Sequence, residues 1–188
     1  MLAIWREVGI VLGGFVAGAI PFGFLIARRR GLDIKQHGSG NIGATNVARV
    51  LGARTGLIVL LLDAAKGALP TLVAQHYGGW PQAIAATGAA AILGHCFSPF
   101  LRGKGGKGVA TSFGVFLVIA PSLAGIAVLA FVVIWRITRV PALGSLAASA
   151  VLSALFIVRG EPHYTLLACA TTVLLVYTHR TNLAKLAR

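Results

Sequence analysis

The length of its uncharged stretches limits what this chain can fold into. About 20 apolar residues in helical form cross the ~30 Å hydrocarbon core of a bilayer. Residues 8–27 form an uncharged run of 20, residues 140–158 one of 19 and residues 162–178 one of 17. Residues 67–101 add 35 uncharged positions, interrupted at Gly78, Gly79 and Pro81, which marks a turn between two helices. The first helix of that pair starts near Thr55 and carries Asp63 and Lys66 within it. A further run of 28, residues 108–135, has Pro121 near its middle and reads either as one long span or as two short ones. Because backbone groups in hydrocarbon must satisfy one another, the expected fold is all-α, a polytopic transmembrane helical protein in a single domain over residues 1–188. Residues 8–16 imitate the apolar core of a secretory signal, but the run continues to Ala27 and is stopped by Arg28, Arg29 and Arg30, as a membrane span is.

Composition excludes a soluble domain. Hydrophobic residues make up 57% and charged residues 11%, against about 25% charged in typical globular proteins. The net charge of +13 comes in short bursts between apolar runs, which reads as membrane sidedness and not as a nucleic-acid surface. Glu7, Asp33, Asp63 and Glu161 are the four acidic residues, too few for a cage of carboxylates, so neither a metal nor another cofactor is expected. Cys96 and Cys169 lie in apolar stretches without metal-ligand spacing.

The basic residues orient the spans. Residues 28–54 carry six cations and should be cytoplasmic, which puts the N-terminus outside. Two helices later Arg102, Lys104 and Lys107 fall inside again. If residues 108–135 cross twice, turning at Pro121, then Arg136, Arg139, Arg180, Lys185 and Arg188 are inside as well, giving seven spans and a cytoplasmic C-terminus. The same sidedness follows from five spans plus a re-entrant segment.

Three polar segments then share the cytoplasmic face. The first holds His37, Gly38, Ser39, Gly40, Asn41, Ile42, Gly43, Ala44, Thr45 and Asn46, followed by Arg49. Its glycines let backbone N–H groups turn toward an anion, and its hydroxyl and amide side chains add donors. In the second, Gly103, Gly105, Gly106 and Gly108 alternate with Arg102, Lys104 and Lys107 and lead into a helix at Val109, Ala110 and Thr111. A helix N-terminus there is an anion site. It is not a nucleotide-hydrolysing P-loop, because Leu101 and Gly108 stand where that motif needs Gly and Ser or Thr. The third segment places His179 and Asn182 three apart, on one face if the last helix continues. Asp63 and Lys66, also three apart, can pair inside a span in a supporting role.

Together these segments resemble the bacterial membrane acyltransferases that move an acyl group from acyl phosphate to glycerol 3-phosphate. The matching patterns are GSGN-x-GATN-x-x-R at residues 38–49, D-x-x-KG at 63–67, GH-x-x-S with GGKGVAT within 94–111, and HR-x-N at 179–182. Thr181 departs from the family, which often has Glu there.

The resemblance implies a product, 1-acylglycerol 3-phosphate, that is the first acylated intermediate of phospholipid synthesis, and an active site facing the cytoplasm from the inner membrane. It implies that the first motif is the acyl-phosphate and catalytic loop, with Ser39 and Arg49 most prominent. It implies that the second is the glycerol-phosphate site, that His179 and Asn182 complete it, and that Ser145 is a further polar contributor. Gly38, Gly40, Asn41, Thr45, Asn46, Lys104, Gly105, Gly106, Lys107, Gly108 and Thr111 are carried over as binding positions.

Acyl phosphate is a mixed anhydride with a good leaving group, so charge stabilisation and positioning suffice without a covalent intermediate. Two phosphates repel, so clustered Arg49, Lys104 and Lys107 are needed to hold both. The His-x-x-x-x-Asp pattern of thioester-dependent acyltransferases is absent, since Ile42, Pro81, Phe100, Ala168 and Ala184 follow the five histidines. A phosphate or organic-anion transporter is the alternative from another class, and it calls for charged or broken helices near the membrane midplane.

Overall fold

The structure is a computed structural model that describes residues 2–186. Among these residues it contains nine α-helices and no strand: α1 Leu2–Ala19, α2 Phe22–Arg29, α3 Ala44–Leu51, α4 Ala53–Tyr77, α5 Pro81–Cys96, α6 Val109–Ile119, α7 Pro121–Thr138, α8 Pro141–Arg159 and α9 Pro162–Leu186. Short 3-10 turns cover Ile34–Gln36 and Pro99–Leu101. Proline stands first in α5, α7, α8 and α9, the helical position where its missing N–H costs nothing.

Five stretches are long and apolar enough to cross a membrane: Ile4–Arg29, Ala53–Tyr77, Pro81–Leu101, Pro121–Thr138 and Pro141–Arg159. The run 108–135 divides at Pro121, as its proline predicts. Its first half, α6, has 11 residues and is about 16 Å long at 1.5 Å per residue. α9 has 25 residues, with polar side chains at both ends of an apolar middle.

The first span is not continuous. α1 and α2 part at Ile20–Pro21, because proline lacks the N–H and its ring crowds the preceding turn. The carbonyls freed at the break are not orphaned. Ser98 Oγ donates to Ala19 O at 2.6 Å, and Lys66 Nζ donates to Ile20 O at 2.7 Å. Here lies the reason for a lysine inside α4: it satisfies a broken helix and pairs with Asp63 at 2.9 Å.

Small residues bring the helices together, as lipid-embedded packing requires where no hydrophobic gain separates helix from lipid. α1 meets α5 backbone to backbone, since a β-carbon at Gly18 would strike Ala91 and one at Gly94 would strike Phe15 O. Gly67 and Gly114 allow the same approach between α4 and α6. The main core joins α5 to α9 through Ile92, Val115, Phe116, Leu152, Phe156 and Leu167. A second cluster of Ala27, Ile34, Ile42, Val47, Val59 and Leu101 anchors the polar segment between α2 and α4. That segment contains a helix, α3, whose buried Val47 faces inward while Arg49 stays exposed.

Candidate active site

The Ser39 loop owes its shape to Asn46. This buried amide on α3 accepts from Ser39 N–H at 2.8 Å, and its Nδ2 donates to His37 O and Asn41 O at 2.9 Å each. Arg49 Nη1 donates to the same Oδ1 at 3.4 Å. Gly38, at φ +62°, tolerates the turn without a side chain that would collide with Asn46 Oδ1. Asn41 Oδ1 accepts from Gly43 N–H at 2.7 Å and steadies the entry to α3. Asn46 therefore has its hydrogen-bonding capacity used within the loop, and its contribution is to hold Ser39 and Asn41 in place.

A cavity of about 230 Å³ opens beside this loop. Ser39, Asn41, Thr45, Asn46, Arg49, Asp63, Lys107, Gly108, Ser145, His179 and Asn182 all line it, so all the sequence motifs meet in one place. Ser39, Thr45 and Arg49 are exposed at its rim, whereas Asp63, Ser145 and His179 are buried. A second cleft, on Lys35, Gly40, Lys104, Gly105 and Arg180, shares Ser39, Asn41, Lys107 and Asn182 with the first. Gly38, Lys66, Gly106 and Thr111 line neither cleft. Thr111 lies against Gly67, fully buried in the seam between α4 and α6.

Sequence reasoning assigned no site role to several of the lining residues, His95 among them although it lies in the GH-x-x-S pattern. His95 lines the cavity from the last turn of α5, Val140, Pro141 and Ala142 line it from the start of α8, and Phe131 lines it from α7. The α8 positions explain how the cavity handles charge. Its wall contains the first residues of α3 (Ala44, Thr45), of α6 (Val109, Ala110) and of α8 (Pro141, Ala142). Three positive helix ends converge with Arg49 and Lys107, an arrangement suited to more than one anionic group. The signal for α8 was the proline at its first position, which marks a helix start but not where that start points.

Lys107 and Asn182 are side-chain partners, and Thr178 Oγ1 donates to Lys107 O at 3.0 Å, so α9 clamps the glycine-rich segment. Burial, with the charge of Lys185 nearby, pushes the Lys107 ammonium down to about 8. His179 Nδ1 lies 2.8 Å from Leu175 O. A carbonyl only accepts, so Nδ1 carries a proton, and in the neutral ring Nε2 is then the nitrogen with the lone pair.

An apolar groove of about 350 Å³ adjoins the polar cavity and shares Leu60, Val109, Ala110, Phe131 and Ser145 with it. Phe113, Phe116, Val128, Leu152 and Leu175 continue its walls. The site is thus polar and cationic at one end and greasy at the other. Among the described residues, no group of three or more His, Cys, Asp or Glu side chains could hold a metal ion.

The family model described as glycerol-3-phosphate acyltransferase matches residues 8–188. A glycerol-3-phosphate acyltransferase of Myxococcus xanthus is 46% identical over 182 residues, covering 95% of each chain. One of Geotalea daltonii is 43% identical, covering 96% of this chain and 93% of its own. The crystal structure of PlsY (YgiH), an integral membrane glycerol 3-phosphate acyltransferase, is similar in its glycerol 3-phosphate form. It has a TM-score of 0.93 and 36% identity and covers 97% of this chain and 92% of that one. Its lysophosphatidic acid form gives a TM-score of 0.91.

Proposed function

This chain belongs to the glycerol-3-phosphate acyltransferase family, and from that membership we propose that it transfers an acyl group from an acyl phosphate to glycerol 3-phosphate, yielding 1-acylglycerol 3-phosphate and inorganic phosphate at the cytoplasmic face of the bacterial inner membrane. The observation that carries the donor assignment is the junction of two cavities. A ligand reaching from the cationic cavity into the apolar groove has an anionic head and a hydrocarbon tail, and an acyl phosphate has that form. Its carbonyl carbon would lie near the shared residues Ser145, Val109 and Ala110.

In the reaction a hydroxyl oxygen of glycerol 3-phosphate attacks the carbonyl carbon, the bond from that carbon to the phosphate oxygen breaks, and phosphate departs with the bonding pair. Arg49, Lys107 and the α3, α6 and α8 N-termini hold the two phosphates together and stabilise the developing charge. The proton of the attacking hydroxyl passes to the departing phosphate. His179 Nε2 accepts a hydrogen bond from the acceptor substrate and orients it. Its other nitrogen bonds a backbone carbonyl and no carboxylate, so the ring lacks the hydrogen-bonded carboxylate that orients and stabilises the imidazolium of a general base. Ser39 and Asn182 serve as neutral partners, the latter through Lys107.

The test is to incubate the purified protein with acyl phosphate and glycerol 3-phosphate and to quantify lysolipid and phosphate. Stoichiometric formation of both supports the reading. Acyl transfer from a thioester donor but not from acyl phosphate would overturn the donor assignment. Phosphate flux across liposomes without acyl transfer would favour a transporter.

A further inference from the structure

His95 takes no part in the scheme above, yet its ring is 3% exposed and faces the same cavity as Asp63. Its Nδ1 lies 3.7 Å from Asp63 Oδ1 and has no hydrogen-bond partner among the described residues. Against the ring lies the backbone of Gly106. A β-carbon there would collide with Nε2 and stand 2.8 Å from Cε1 and 3.1 Å from Cδ2. The strap formed by residues 105–107 is also stitched to the end of α5. Gly106 N–H donates to His95 O at 3.0 Å and Gly105 N–H donates to Cys96 O at 3.1 Å. Beyond the strap, Lys107 is held by Thr178 and Asn182 of α9.

We propose that His95, backed by Asp63, is a positioning residue whose ring is the seat of the strap and so fixes where Lys107 presents its ammonium to the anionic substrate. Two consecutive glycines give the strap no side-chain rigidity of its own. What they give is room for the Nε2 edge of the ring to lie against the strap backbone, and the ring replaces the missing stiffness. Asp63, held in turn by Lys66 at 2.9 Å, is the carboxylate that stands beside Nδ1, at 3.7 Å. The proposal rests on the reading of Lys107 as a binder of substrate phosphate. A displacement of the order of 1 Å in such a group costs on the order of a hundredfold.

The experiment compares wild type, His95→Ala, His95→Gln, Lys107→Ala and the double variant His95→Ala/Lys107→Ala. Steady-state kinetics in acyl phosphate and glycerol 3-phosphate are measured beside backbone hydrogen exchange. His95→Ala should raise the KM for glycerol 3-phosphate by about tenfold or more while leaving a measurable kcat. His95→Gln, which keeps a side chain able to bond Asp63, should restore most of it. In the Lys107→Ala background, His95→Ala should add almost nothing, because both changes act through one group. Exchange at Gly105 and Gly106 should quicken in His95→Ala without a matching rise in the middle of α5 and α9.

Additive KM effects in the double variant, or unchanged exchange of the strap, would overturn the proposal. If His95→Ala does not fold, His95→Leu, which keeps side-chain bulk but not the ring, takes its place, and an unaltered strap in that variant overturns it equally. Wild type without acyl transfer to glycerol 3-phosphate would sink the functional reading alone, since the exchange measurement needs no activity.

Discussion

At Lys107 the protein holds a cation whose charge is easily lost. Burial lowers its ammonium to about 8, so in the free protein the group proposed to meet the anion loses its proton as pH rises through that value. A bound phosphate favours the charged form and raises the value again. Binding of glycerol 3-phosphate should therefore be tightest below pH 8 and weaken above it. Lys107→Arg should remove that dependence, because a guanidinium stays charged; a KM that rises equally in both proteins between pH 7.5 and 9 would show that another group titrates. Arg49→Ala removes a charge-assisted donor from the rim, a loss of about 1.5–3 kcal/mol, or roughly 10- to 150-fold in affinity for the anion. Unchanged kinetics for both substrates would take Arg49 off the site. His179→Asn tests the orientation role. If His179 binds and orients, the KM for glycerol 3-phosphate rises and turnover at saturation persists, whereas a general base would cost roughly 10²- to 10⁴-fold in turnover.

Helices and their ends decide how the motifs meet, and here legibility in the sequence was uneven. The turn at Gly78 and Gly79, the break at Pro121 and the extension of α9 that puts His179 beside Asn182 all follow from proline, glycine and helical spacing. The division of the first span at Pro21 and the α3 helix do not. Residues 8–27 stay uncharged across the break, and the carbonyl partners that make it tolerable, Ser98 and Lys66, lie 79 and 46 positions away. α3 is only 8 residues long, below what local propensity sustains alone, so its existence depends on the cluster beneath Val47. Asp63 and Lys66 were legible as a pair, but not as the group that satisfies Ile20. Removing one partner of such a buried pair costs about 3–5 kcal/mol, and removing both costs less. Lys66→Met should accordingly lower the unfolding temperature of the detergent-solubilised protein more than Lys66→Met combined with Asp63→Asn does. A double variant less stable than the single one would contradict this account of α4.

For the molecule as a whole, the question is which side of the membrane each end of the bundle faces. Substrate chemistry requires that the site open to water, and the charge distribution is the argument for which side. A soluble phosphate ester must arrive from water, the cationic cavity collects the Ser39 loop, the strap and the end of α9, and cations are retained on the cytoplasmic side. On the proposed reading, the apolar groove next to that cavity takes the acyl tail while the head reacts. Cysteines placed at Lys104 and Thr181 should therefore resist a membrane-impermeant reagent added outside intact cells, and one at Gln82, in the first turn of α5, should react. Ser122, exposed at the start of α7, separates the two arrangements of α6. If this 11-residue helix crosses a locally thinned bilayer, a cysteine at Ser122 is labelled from outside like Gln82, giving seven spans. If the whole run 108–135 is instead re-entrant, turning at Pro121 within the bilayer, Ser122 stays protected and the count is five. We expect labelling, because α6 ends in apolar Val118 and Ile119, followed by Ala120 and Pro121, and such an end has no polar groups with which to turn back inside the membrane. Opposite labelling of Lys104 and Thr181 would defeat both arrangements, and with them the single-sided site.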